Sequence, residues 1–221
     1  MTGVRENSLA PGDVIEELAL FPLPNVVLFP RTLLPLHVFE PRYRTMTADL
    51  LAGSRLLSVV MVSSPEPIDE HGHPRIVSIA GVGEVIEHEL LADGRYNILV
   101  QGKARVELTE LAFRPPYRRA RATVTAASTS SISESERAGL VSAATRLIAQ
   151  LRRHQPSLEL EVPPLTDPGS AVDLLAEQLV ASAEDRQRVL ESLDVRERVR
   201  LATELFAVQE ALYAQGTGAK G

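Results

Sequence analysis

The stretch Leu18-Ala19-Leu20-Phe21-Pro22-Leu23-Pro24-Asn25-Val26-Val27-Leu28-Phe29-Pro30-Arg31-Thr32-Leu33-Leu34-Pro35-Leu36-His37-Val38-Phe39-Glu40-Pro41-Arg42-Tyr43-Arg44 decides how the chain is read. Its apolar residues come in short runs broken by proline. Such runs, rich in Leu and Val, read as strands, here near 17–21 and 25–29. Pro41 suits the first position of a helix, where its missing N–H costs nothing. Met46, Leu50 and Leu51 then give that helix a buried face.

Working outward, further strands are expected near 56–62, 75–89, 95–110 and 119–127. Asp93-Gly94 is a good two-residue hairpin turn, because both residues tolerate positive φ. It joins two long strands, and in the second Ile98, Val100, Val106 and Leu108 face one side. Gly81 and Gly83 inside the first mark a bulge or a close backbone approach. The character changes near residue 128, after which apolar residues recur at helical spacing. Leu140, Val141, Ala144, Leu147, Ile148 and Leu151 form one stripe. A second helix covers about 170–181. Ser182 and Asp185 have capping-box spacing ahead of a short helix with Val189, Leu190 and Leu193. Asp194 can cap the last helix, whose stripe runs Val195, Val199, Ala202, Leu205, Phe206, Gln209 and Leu212.

Composition narrows the function. The 221 residues carry a net charge of −6 and no cysteine, which excludes disulfides, Cys-ligated metals and a thiol nucleophile. Residues 1–127 hold 13 basic and 15 acidic side chains, and 128–221 hold 10 and 14, so neither half is a general nucleic-acid binder. No apolar run approaches the length of a membrane helix. The N-terminus lacks the basic and apolar blocks of a signal peptide. The expectation is a soluble, cytoplasmic protein with no membrane contact.

Three segments carry a family likeness. Residues 18–44, the hairpin stretch Ala92–Val106 and the helical end 173–210 resemble, in order, the N-terminal substrate-binding domain of Lon protease. The resemblance spans about 16–213. It implies an α+β fold, a PUA-like and mostly antiparallel β-barrel with one helix, followed by a C-terminal helical bundle. The expected divisions are 1–15 as a flexible segment, 16–127 as the barrel, 128–214 as the helices and 215–221 as a flexible tail. Lon continues into ATPase and protease modules, and their motifs are missing. At the only Gly-Lys pair, Gly102-Lys103, Asn97 stands where a P-loop needs its first glycine and Ala104 where it needs a hydroxyl. Lys103 and Lys220 are the only lysines, and neither has the setting of a Ser–Lys dyad. The resemblance therefore implies a stand-alone, non-enzymatic module without a cofactor. It would bind unfolded or degron-bearing polypeptides and work with a separate protease.

The apolar segment suggests where. Pro22, Pro24, Leu33, Leu34 and Pro35 are the candidate polypeptide-binding residues, since part of this stretch can form an exposed apolar patch. A second reading is RNA binding, through Arg114, Tyr117, Arg118, Arg119 and Arg121, because PUA-like folds include RNA binders. Against it, a short basic run beside Pro115-Pro116 also reads as a protected edge strand in an acidic chain. Asp69-Glu70-His71-Gly72-His73 holds potential metal ligands, but the spacing fits no zinc pattern and a solvated loop explains it. His37 and Glu40 could do acid–base work. Without a nucleophile or second acid, Glu40 reads as a helix cap and His37 as a strand-end residue. Gly81-Val82-Gly83 is not a dinucleotide fingerprint, since it lies inside a strand.

Overall fold

The computed structural model describes residues 9–67, 69–128 and 130–215, and the chain divides into two compact units between Ala126 and Ala127. The first unit holds β1 (Val14–Leu23), β2 (Leu33–Val38), α1 (Pro41–Ala52), β3 (Leu56–Pro67), β4 (Pro74–Ile76), β5 (Ile79–Leu90), β6 (Tyr96–Glu110) and β7 (Arg119–Val124). Neighbours along the path β1-β7-β6-β5-β3 are antiparallel. A parallel pairing of β1 with β3, from Ala19↔Leu57 to Leu23↔Met61, closes the path into a barrel. Closure leaves no edge along this path. β2 and β4 are additions, β2 on β6 and β4 on β3.

The decisive stretch folds differently from its simplest reading. Residues 25–29 are not a strand, and β2 comes later, at Leu33–Val38. The reason lies in two glycines. A Cβ on Gly81 would sit 2.0 Å from the Leu28 carbonyl oxygen, and one on Gly102 would sit 2.0 Å from that of Phe29. The Leu28–Phe29 backbone thus lies directly against β5 and β6, which only glycine permits there. Leu28 and Phe29 are buried by this crossing, not by strand pairing. Arg31 N–H then donates to Gly102 O, and Gly102 N–H to Thr32 O, which sets the register of β2 on β6.

Other expectations shift less. β1 starts at Val14, inside the segment 1–15 expected to be loose, and Val14 pairs with Thr123. The strand expected over 75–89 is two, β4 and β5, interrupted at Val77-Ser78. The hairpin turn forms as expected, with Gly94 at φ +81° and Leu91 N–H donating to Arg95 O. Gly83 marks a register shift against β6. α1 begins at Pro41 and buries Tyr43, Met46 and Leu50 against Phe21, Val59 and Val100, with Leu51 only partly buried. Burying Met46 alone contributes about 2 kcal/mol. Glu40 occupies the cap position, but its side chain makes no cap bond and accepts from Arg42 Nε at 2.9 Å instead.

The second unit holds α2 (Glu134–His154), α3 (Pro168–Leu179), α4 (Ala183–Glu191) and α5 (Val195–Ala214). Each helix has a side-chain N-cap: Ser133 with Glu136 in a full capping box, Asp167, Ser182 and Asp194. Ser130, followed by the Glu197 amide, holds the Asp194 carboxyl at about 2, and Arg196 with Ser133 holds Glu136 at about 2. Inside the unit Arg198 and Asp173 form a buried ion pair at 2.7 Å. Gln209 donates to Leu179 O and accepts from Ala181 N–H, so the α5 stripe closes the end of α3. Val141 and Leu212, expected in buried stripes, are exposed, and Leu193 lies outside α4. Apart from Gln215, the tail expected to be loose lies outside the described residues.

Candidate functional site

β2 pairs with β6 alone, so its other edge faces no strand. Alternation sends Leu34, Leu36 and Val38 toward the core. Leu33, Pro35 and His37 point outward, followed by Phe39. Leu33 is 52% exposed and Phe39 60%. Pro35 lies opposite the half-buried Leu99 of β6, which in turn lies opposite Glu87 of β5. Ile86, at the bulge in β5, is 37% exposed, and Leu90, at the end of the hairpin, is 60% exposed. An apolar row thus runs along an edge strand, with Leu99 beside it, whereas Leu90, in line with Tyr96 and the core-facing Val38, belongs to the other face of the sheet.

The hydrogen-bond phase explains how proline is tolerated here. Thr32 bonds Gly102, and Leu91 bonds Arg95 at the other end of the sheet face. Ladder bonds alternate, so Leu34, Leu36 and Val38 bond β6, while the backbone groups of Leu33, Pro35 and His37 face the open edge. The missing N–H of Pro35 therefore costs no ladder bond. It also interrupts the row of donors on which another strand could pair, which protects an exposed apolar edge from self-association.

A polar line crosses the same face. Arg95 Nη1 donates to His37 Nε2 at 3.2 Å, the His37 Nδ1–H donates to Asn97 Oδ1 at 2.8 Å, and Asn97 Nδ2 donates to Glu89 Oε2 at 2.9 Å. These bonds assign His37 the neutral Nδ1–H tautomer. Arg95 also grips Asp93 at 2.6 Å, and the Arg95 amide with that guanidinium lowers the Asp93 carboxyl. The His37 ring stacks on Phe39, centroids 6.3 Å apart. His37 is therefore an exposed member of a network and has no bond to Glu40.

The other candidate residues scatter. Leu34 packs into the core, Pro22 is half-buried in β1 beside Val60, and Pro24 is exposed at the turn after it. Of the five apolar candidates, the outward row of β2 joins only Leu33 and Pro35. Phe39, His37, Leu99 and Ile86 join this surface without a direct sequence signal of their own. The signal available was the period-two spacing of Leu33, Pro35, His37 and Phe39, which needs β2 to be recognised as a strand.

The Arg114–Arg121 segment has a different character. Arg118 is 4% exposed, donates twice to Glu110 at 2.6 and 2.7 Å, and bonds Pro74 O at 2.9 Å. Tyr117 is 6% exposed, donates to Asp49 at 2.8 Å, and carries Arg119 over its ring at 4.0 Å. Burial, then the bond to Asp49, raises its phenol pKa. Arg121 pairs with Glu16 at 3.0 Å and Arg114 with Glu17 at 3.7 Å. A depression of about 380 Å³ lined by Glu16, Glu17, Leu111, Arg114 and Arg119 carries both signs of charge. The aromatic ring that would stack a base is inside and Arg118 is buried with it, while Arg114 and Arg121 stay exposed in ion pairs with Glu17 and Glu16.

The 69–73 segment is a turn held by one carboxylate. Asp69 accepts from the amides of His71 and His73 at 3.0 Å and from the His73 ring at 2.7 Å, and the His73 amide leads in holding it at about 2. Phe113 packs on both imidazoles. Among the described residues no group of three His, Asp or Glu side chains is placed to hold a metal. No helix among them is long and apolar enough to cross a membrane.

The family model for the ATP-dependent protease La (LON) substrate-binding domain matches residues 17–207, and the chain belongs to that family. It is 32% identical over 195 residues to a Lon protease of Roseiflexus castenholzii, covering 86% of this chain and 24% of that protein. It is 30% identical over 197 residues to Lon protease 2 of Myxococcus xanthus, covering 88% and 24%. The chain thus spans about a quarter of the length of these relatives. The fold matches the N-terminal domain of a Mycobacterium avium complex Lon protease, with a TM-score of 0.60 at 16% identity over 87% of this chain and 98% of that one. It matches a Lon N-terminal domain protein from Xanthomonas campestris with a TM-score of 0.60 at 21% identity, over 84% and 96%.

Proposed function

We propose that this chain is a non-catalytic polypeptide-binding module that recognises unfolded or degron-bearing chains through the outward row of β2, with cleavage left to a separate protease. The observation that carries this reading is the row itself. Leu33 and Pro35 are exposed along an edge strand, and Phe39 is exposed just past its end. Contiguous apolar side chains left in water mark interaction sites more often than chance. An extended apolar segment loses little by leaving water against them. Family membership supplies the kind of ligand, a substrate polypeptide. The reading places the module in the cytoplasm.

The test is binding of a labelled, permanently unfolded protein to the intact chain. Leu33→Asp with Phe39→Asp is expected to weaken it tenfold or more, since burying two such side chains contributes about 1.5–3 kcal/mol each. Unchanged affinity in that variant, with unchanged folding, rejects the site.

A further inference from the structure

We infer that this face discriminates among apolar segments by charge, favouring those in which Lys or Arg stands beside the apolar residues. The inference rests on the reading of the β2 row as the polypeptide site. It comes from an imbalance on the same face. Three cations of this region already hold a carboxylate: Arg95 holds Asp93 at 2.6 Å, Arg42 holds Glu40 at 2.9 Å, and Lys103 holds Glu84 at 2.9 Å, while Arg44 lies against Gly94 at the hairpin turn. The carboxylates of β5 are not matched in return. Glu87 and Glu89 are exposed, and among the described residues no cation pairs with either. Glu89 accepts an amide N–H from Asn97, at the end of the line that starts at Arg95. An amide donor leaves its negative charge uncompensated.

The geometry puts these charges within reach of a segment on the apolar row. Pro35, Leu99 and Glu87 lie in one register line across three strands, and His37, Asn97 and Glu89 lie in the next outward line. Adjacent strands are about 4.8 Å apart, so each carboxylate stands about 10 Å across the sheet from β2. Outward residues repeat about every 6.8 Å along a strand. An apolar side chain over Pro35 and Leu99 therefore places its neighbour, if that neighbour is a long basic side chain, above Glu87 or Glu89. An acidic neighbour meets two like charges, neither of them paired with a cation among the described residues. The occupant is a polypeptide segment alternating apolar and basic residues, and an acidic apolar segment is its disfavoured counterpart.

The experiment uses the full chain and peptides with one Leu-rich frame, differing only in whether Lys, Gln or Glu alternates with it. The Lys peptide should bind about five- to tenfold more tightly than the Glu peptide at low salt, two exposed charge contacts being modest individually. In Glu87→Gln/Glu89→Gln the ratio should fall toward one while the Gln peptide binds as before. About 0.5 M salt should flatten the ratio in the wild type. Equal binding of Lys and Glu peptides, or a ratio untouched by the double variant, overturns the inference while leaving the apolar site in place. If the Gln peptide binds equally to the wild type and to Leu33→Asp/Phe39→Asp, the polypeptide-site reading fails, and this inference with it.

Discussion

The β2 row and the Arg114–Arg121 segment are both short, both punctuated by proline and both conspicuous in the sequence, yet they end in opposite states. In the arginine segment Tyr117 and Arg118 turn back into the protein, and the exposed arginines meet carboxylates. Arg118 is clamped by Glu110 and Pro74 O, Tyr117 is tied to Asp49, and Arg114 and Arg121 meet Glu17 and Glu16. In the β2 row the apolar groups Leu33, Pro35 and Phe39 stay in water. A charge that finds its partner inside the chain is doing structural work, and an apolar side chain that finds none is available to another molecule. What a residue is matters less for function than whether the fold has already used it.

The comparison can be broken by mutation. The largest effect is expected from Arg118→Ala. It strips a buried guanidinium from Glu110 and Pro74 O and should cost about 2–4 kcal/mol, read as a lowered denaturation midpoint. Glu110 keeps some solvent access, which holds the loss below that of a fully buried pair. If Arg118→Ala leaves stability unchanged while removing a binding activity, the structural assignment of this segment is wrong.

Acid sharpens the contrast in the other unit. Glu136 and Asp194 have folded values of about 2, below the ordinary carboxyl range near 4. Depressed carboxyls contribute stability above the unfolded value and lose it as pH falls through the folded one. Helical circular dichroism at fixed temperature should therefore hold down to about pH 4 and decline toward pH 2. Asp194→Asn, which keeps a capping oxygen without the charge, should flatten that decline. The smallest effects belong to Arg114→Ala and Arg121→Ala. Their exposed pairs should each change stability by less than about 1 kcal/mol. Neither should alter binding of the unfolded client.

Much of both units was legible because its signals are local. Asp93-Gly94 announced the hairpin, Pro41 the start of α1, and Ser182 and Asp194 the helix starts that their side chains now cap. The glycines of β5 signal a bulge or a close approach, and both occur: a register shift at Gly83 and a close approach at Gly81. What approaches it was not legible. Leu28 and Phe29 look like strand residues, but they are buried by a crossing that depends on Gly81 and Gly102, more than fifty residues downstream. That misreading hid β2, and with β2 went the alternation that separates Leu33, Pro35 and Phe39 from Leu34. Likewise, four arginines in eight residues look like a basic surface until Glu16, Glu17 and Glu110 arrive from other strands. Local chemistry can be read from neighbours in sequence, but exposure depends on neighbours in space.

Amide hydrogen exchange of the full chain, with and without saturating unfolded client, tests the central claim most directly. The Leu33 and His37 amides face the open edge of β2 and take no ladder bond. A client on this surface should slow exchange there, at Phe39 and along the adjoining hairpin, while leaving residues 117–121 unchanged. Protection that appears at 114–121 and spares 33–39 would contradict the account.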